Sequence, residues 1–115
     1  MLKNLWQSWE INMAYKLVIS DNANQQLESI LDYIVYRLKN NQAAKSLIND
    51  IEKAHAKLRE IPEVFGYCND RYLAIKQYRK LTLEKHDYVI LYKVKDDVVT
   101  IYGIFHMLEN YREKL

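Results

Sequence analysis

A chain of 115 residues with half of its positions apolar is long enough to bury one core and too short for two, so a single domain spanning 1–115 is expected. One cysteine, Cys68, excludes an internal disulfide and a cysteine-built metal cage and fits a reducing, cytoplasmic setting; no apolar run reaches membrane-spanning length, and the first twelve residues lack the apolar centre of a signal peptide. The formal net charge of +2, from 17 basic and 15 acidic residues, makes no whole-chain case for a polyanionic partner.

At the start of the chain, Leu2, Leu5, Trp6 and Trp9 follow helical spacing, which suits a short amphipathic extension docking on the body or on a partner. The alternative is that residues 1–12 are not native and translation starts at Met13, making 13–115 the core. Tyr15 to Ile19 reads as a short apolar strand. Ser20-Asp21-Asn22 then supplies stop and cap chemistry, with Asn22 and Gln25 spaced as a capping-box variant.

From there, Leu27, Ile30, Leu31, Ile34, Val35 and Leu38 recur at three- and four-residue steps and predict a helix over about Asn22 to Lys39. Asn40-Asn41 breaks it. Ala44, Leu47, Ile48, Ile51, Ala54, Leu58 and Ile61 repeat the pattern, so a second, antiparallel helix follows and ends at Pro62. Beyond a loop marked by Gly66, Asn69 and Asp70, the texture turns to Tyr, Val, Ile and Thr. Strands are expected near Ala74 to Leu83, Tyr88 to Lys95 and Val98 to Phe105, the last two joined at Asp96-Asp97. The alternation in the middle strand sends Tyr88, Ile90, Tyr92 and Val94 to one face and Val89, Leu91, Lys93 and Lys95 to the other. Its apolar start on both faces makes it central. With a short helix-compatible tail from Glu109 to Leu115, the fold class is α+β: an N-terminal strand, a two-helix antiparallel hairpin, a three-stranded antiparallel meander and a short C-terminal helix.

Charge is uneven along this order. Between Arg71 and Lys95 seven basic residues face only Glu84 and Asp87, a local net charge of +5. Lys76, Lys85, Lys93 and Lys95, with Arg112 further on, are therefore candidates for binding an anionic target. The competing explanation is that lysines on strands guard against edge pairing. For catalysis at an anionic centre, a base or acid and cations would be needed, and His106, Arg79 and Lys80 are the residues that could supply them. Arg79 and Lys80 point to opposite faces of their strand, so only one can join His106. A histidine closing an apolar strand equally suits a structural role.

The other candidates are weaker. His55 sits at the edge of the second helix's apolar stripe, and His86 beside Lys85 in a turn is expected to be solvated. Three histidines without ligand spacing argue against zinc, no Gly-rich phosphate loop is present, and no cofactor is expected. Cys68 reads as a loop thiol without an adjacent base. Most of the ten tyrosines are explained as half-buried strand residues.

The order of elements, with R-K-L, Y-V-I-L-Y-K-V and I-Y-G-I-F-H and with Arg79, Tyr88, Tyr92 and His106 as fixed points, resembles the RelE/ParE superfamily of toxins from bacterial type II toxin–antitoxin modules, over about Met13 to Leu115. The resemblance implies a growth-arresting toxin silenced by a cognate antitoxin whose flexible segment wraps it. RelE-like members cut messenger RNA on the ribosome without a metal, whereas ParE-like members poison DNA gyrase. In the ribonuclease branch an arginine stands three residues before the central-strand tyrosine. Here that position, counted from Tyr92, is Val89, and His106 is followed by Met107, Leu108 and Glu109 with no cation before Arg112. These departures favour the ParE-like branch.

Overall fold

The computed structural model describes residues 15–115; the expectations for the N-terminal extension fall outside the described residues. Strand β1 (Lys16–Ile19) leads into α1 (Asp21–Asp32), a π-helical turn over Tyr33–Arg37, and α2 (Asn41–Glu60). A 3-10 turn at Pro62–Val64 and a short helix α3 (Arg71–Ile75) precede β2 (Arg79–Thr82), β3 (Tyr88–Lys95) and β4 (Val98–His106), and the described chain closes with a 3-10 turn at Tyr111–Lys114. The α+β order read from the sequence is borne out.

The sheet has the order β1-β4-β3-β2; β2, β3 and β4 form the antiparallel meander, and β1 joins parallel to β4 with Lys16 opposite Val98. The helices cover one face. Ala23, Leu47, Ile51, Ala54 and Leu58 meet Leu81, Ile90, Tyr92, Val99, Ile101 and Ile104 in the main core. The opposite face carries a second, smaller core in which Leu73 of α3 and Cys68 cover Val89, Leu91 and Phe105, with Tyr78 and Tyr111 at its margin. The alternation expected for β3 holds on both faces.

Three expectations need correction. The first helix starts one residue earlier than the capping-box spacing suggests, because the Ser20 hydroxyl accepts from the Ala23 N–H at 3.1 Å and Ser20 is itself the cap. That helix also ends in a π turn, and Lys39, with φ of 52°, then takes the left-handed conformation that reverses the chain before Asn40 caps α2 through the Ala43 N–H. The strand expected over Ala74 to Leu83 is confined to Arg79–Thr82. Asp70 caps α3 by accepting from the Leu73 N–H at 3.1 Å, and burial of Leu73 in the second core overrides the β-propensity of Y-L-A-I; Gln77, with φ of 67°, ends the turn that follows. The hairpin turns at Asp96-Asp97 as expected, with Asp96 at a positive φ of 56°, so an aspartate fills the position where glycine or asparagine is commoner.

One irregularity fixes which side chains share a face. Along the β3–β4 ladder Leu91 lies opposite Gly103 and Tyr92 opposite Ile101, so Tyr102 is an unpaired extra residue, a β-bulge. Alternation is reversed beyond it, which is why Val99, Ile101 and then Ile104 all face the helices while Phe105 joins the second core. Gly103 is required there: a Cβ would stand 2.3 Å from Cε2 of Phe105 and 3.0 Å from Oε1 of Gln26. That Gln26 oxygen accepts from the Ile104 N–H at 2.9 Å and ties α1 to the bulged strand.

Candidate functional site

His106 closes β4 opposite Tyr88, its ring 5.5 Å from the Tyr88 ring in an edge-on arrangement. The turn after the strand bonds back to it. The Leu108 N–H donates to His106 Nδ1 at 3.2 Å, so that nitrogen carries a lone pair and the ring proton sits on Nε2. The His106 N–H donates to Glu109 Oε1 at 2.9 Å, and the other Glu109 oxygen takes Lys114 Nζ at 2.6 Å. The Lys114 ammonium holds the Glu109 carboxyl below its ordinary range, with partial burial opposing and the His106 N–H assisting. His106 thus anchors a C-terminal turn through its ring Nδ1 and its backbone N–H.

Arg79 opens β2 opposite Tyr92. Its guanidinium donates to the Phe65 carbonyl at 2.6 Å, to the Glu63 carbonyl at 3.2 Å and to the Tyr67 hydroxyl at 3.2 Å, and lies 4.2 Å from the Tyr67 ring centre. Those bonds clamp the loop after Pro62 to the sheet, where Tyr67 bridges to Arg79 as a one-residue extension of the ladder. Tyr92 is committed in the same region: fully buried, it donates its hydroxyl to the Pro62 carbonyl at 2.6 Å, and burial pushes its phenol far above the ordinary range despite the nearby guanidinium.

The register separates the expected catalytic set. His106 is level with Tyr88 and Arg79 with Tyr92, four residues or about 13 Å apart along β3 and two strand spacings, about 9.5 Å, across it. Lys80, paired with Leu91, faces the helix-free side, whereas His106, paired with Tyr88, faces the helix side. The structure therefore does not bring His106, Arg79 and Lys80 together. Three open clefts, of about 420, 530 and 380 Å³, lie along α2 and between α1 and the end of β4; none is lined by any of these three residues.

The anion-binding candidates divide between two surfaces. Lys93 Nζ lies 4.3 Å from the Tyr78 ring centre and 5.6 Å from that of Tyr102, Lys76 Nζ bonds the Tyr72 hydroxyl at 2.7 Å, and Arg112 lies 5.7 Å from the Tyr72 ring centre while reaching Asp70 at 3.5 Å. These belong to the helix-free side, on whose face Lys95 also alternates. Lys85 belongs elsewhere, in the β2–β3 loop against α2.

That loop is anchored by a residue on α2 that sequence reasoning missed. Asp50 is the one buried charged side chain among the described residues, 3 % exposed. Its Oδ2 accepts from the Lys85 N–H at 2.9 Å and from His86 Nδ1 at 2.7 Å, so His86 is a paired side chain rather than the solvated one expected. The signal was present: Asp50 stands within the apolar stripe of α2, three residues after Leu47 and beside Ile51. Cys68 is likewise buried, and burial raises its thiol above the ordinary value despite the Lys80 ammonium. Among the described residues no group of three His, Cys, Asp or Glu side chains could hold a metal ion, and no helix is long and apolar enough to cross a membrane.

A helical pair lies on one face of the β1-β4-β3-β2 sheet, and a histidine closes the last long strand. Residues 17–111 match the sequence profile of the family described as ParE toxin of type II toxin–antitoxin system, parDE, and the chain belongs to that family. Among solved structures it is similar to the chromosomal ParDE toxin–antitoxin system from P. aeruginosa, at 22 % identity and a TM-score of 0.67, covering 83 % of this chain and 97 % of that one. It is also similar to the RelBE2 toxin–antitoxin complex from Mycobacterium tuberculosis, at 16 % identity and a TM-score of 0.53, covering 82 % and 92 %. At these identities the likeness is one of fold. No curated protein matches significantly.

Proposed function

We propose that this toxin acts in the cytoplasm, is silenced by a cognate antitoxin, and arrests growth by binding a gyrase-type target rather than by cutting messenger RNA. The observation that carries this reading is the engagement of the two residues a ribonuclease would most need. His106 Nδ1 already accepts a backbone N–H, and the Arg79 guanidinium is occupied by two carbonyls and a tyrosine at a distant level of the sheet. A phosphorane would meet neither a free base nor a converging cation. The family profile and the two toxin–antitoxin neighbours support the partnership. A small basic toxin suits an antitoxin segment that is acidic and apolar, disordered alone and ordered on contact.

One preparation run in two assays tests the reading. Purified toxin should inhibit gyrase supercoiling or trap cleaved DNA, leave translated messenger intact in an extract, and do so equally as His106→Ala. Messenger cleavage that falls by about 10²–10⁴ in His106→Ala, the factor one acid–base group supplies, would overturn it in favour of the RelE-like ribonuclease. Co-expression with the adjacent reading frame should yield a tight complex and relieve growth arrest.

A further inference from the structure

At the margin of the second core, the helix-free side sets aromatic and cationic side chains beside one another. Starting at the bulge, Tyr102 packs edge-on against Tyr78 at 5.6 Å, Lys93 reaches over both rings, Lys76 bonds Tyr72, and Arg112 lies over Tyr72 from the C-terminal turn. Aromatic and cationic groups therefore form two clusters on this side, Tyr102, Tyr78 and Lys93 on the strands and Lys76, Tyr72 and Arg112 about α3, with Lys76 in electrostatic reach of Tyr78 between them. Lys80 lies on the same side, opposite Leu91.

The way these cations are held decides what the surface fits. Among the described residues none of Lys76, Lys80, Lys93 or Lys95 has a carboxylate within 4 Å; the ion pairs recorded are Lys57 with Glu84, His86 with Asp50, Lys114 with Glu109, and Arg112 with Asp70. A lysine placed over a tyrosine ring is restrained without being neutralised, so its charge remains available to an incoming anion. Phenol hydroxyls beside ammonium groups add hydrogen-bond donors suited to phosphate oxygens. An edge-guarding role for the lysines does not explain the pattern, because Lys93 lies in the middle of the sheet on β3.

We infer that this surface of Tyr72, Lys76, Tyr78, Lys93, Tyr102 and Arg112 binds the phosphate backbone of DNA, without sequence preference, and supplies the toxin's contact to the DNA engaged by its target. The inference rests on the gyrase-type reading for where that DNA comes from. The contact itself belongs to this chain alone and can be measured without gyrase.

The probe is a fluorescein-labelled 20-base-pair oligonucleotide titrated with purified toxin between 50 and 200 mM salt. With about three phosphates neutralised, one for each of Lys76, Lys93 and Arg112, at about 0.9 in slope each, affinity should fall roughly 40-fold over that range. The double variant Lys76→Gln/Lys93→Gln should reduce the slope by about two units and weaken binding at least tenfold at low salt, whereas Lys93→Arg keeps the slope. Lys57→Gln, on the helix side, should leave binding unchanged. Matching thermal midpoints confirm that the variants fold. A single-stranded oligonucleotide tells which form is preferred, its slope per phosphate being nearer 0.7.

Wild-type binding that ignores salt, an unchanged slope in the double variant, or polyglutamate competing as well as DNA at equal charge overturns the inference, the last result pointing to an acidic protein instead. Parallel supercoiling assays separate the two readings. Gyrase inhibition undiminished in a double variant that has lost DNA binding removes the proposed role of the contact and leaves gyrase as target. DNA binding by a toxin that never inhibits gyrase leaves the contact standing and removes the target.

Discussion

Replacing Asp50 with alanine should be among the most damaging single changes available to this chain outside the apolar core. Asp50 is 3 % exposed, and its carboxylate takes the Lys85 N–H and the His86 Nδ1–H, holding the β2–β3 loop against α2. Alanine leaves both donors without their acceptor. Each such loss costs about 1–3 kcal/mol when the group is buried, but the His86 side chain is 23 % exposed and water recovers part of its share, so a net loss of about 3 kcal/mol is expected at neutral pH. For a chain of this size that lowers the thermal midpoint by roughly 12 °C. Burial alone would raise the Asp50 carboxyl, but the His86 bond and the Lys85 N–H outweigh it, so its pKa in the folded protein lies below the ordinary 3.8. A depressed carboxyl contributes stability that is present above pH 3.8 and lost as the pH falls through the folded value. Denaturant titrations at pH 7 and in steps below pH 4 should show a shallower acid limb in Asp50→Ala than in the wild type, the depressed Glu84 and Glu109 carboxyls supplying what remains. A double-mutant cycle with His86→Ala should give coupling of about 1–2 kcal/mol. Equal stability at neutral pH to within about 0.5 kcal/mol, or parallel acid limbs, would refute the clamp.

Tyr92→Phe should cost only about 1 kcal/mol by equilibrium unfolding, since it removes the bond to the Pro62 carbonyl while keeping the ring in the core, and growth arrest should survive it. Gly103→Ala should lose about 1–3 kcal/mol, because the new methyl forces the buried Phe105 ring out of place; the same assay reads it, and a neutral result would mean the bulge is looser than drawn. His55, beside the apolar core, is held below its ordinary 6.5, chiefly by burial and secondarily by Arg59. The unfolded chain therefore takes up this proton first, so the His55 contribution to stability is lost as pH falls below about 6.5, and His55→Gln should flatten that slope in a pH series of denaturation midpoints.

Both helices were legible because a 3.6-residue period leaves a stripe from Leu27 to Ile34 and from Ala44 to Leu58, although Leu38, which continues the first stripe in sequence, lies exposed beyond the π turn, and β3 was legible because alternation needs no partner to be seen. The short elements were not. Y-L-A-I reads as strand by propensity, and only the Asp70 cap together with the buried Leu73 makes it helix. The parallel seat of β1 beside β4 is set by packing across more than 80 residues of chain, which no local window contains. Site geometry was the least legible part, because the faces and levels of the candidate residues depend on register.

The bulge at Tyr102 shows how much rests on one residue. Count along β4 from Ile101, which faces the helices, as though the ladder were regular: His106 then falls on the helix-free face, the one that carries Lys80 and Lys93. The extra residue reverses that parity, turning Ile104 into the main core, Phe105 into the second core and His106 toward Tyr88 on the helix side. The same insertion places Tyr102 within reach of Tyr78 and Lys93. A single backbone irregularity thus removes the imidazole from the cationic face and puts an aromatic ring there in its place. That exchange suits binding a polyanion and not cleaving one, and it is invisible in I-Y-G-I-F-H until a partner strand reveals which residue is unpaired.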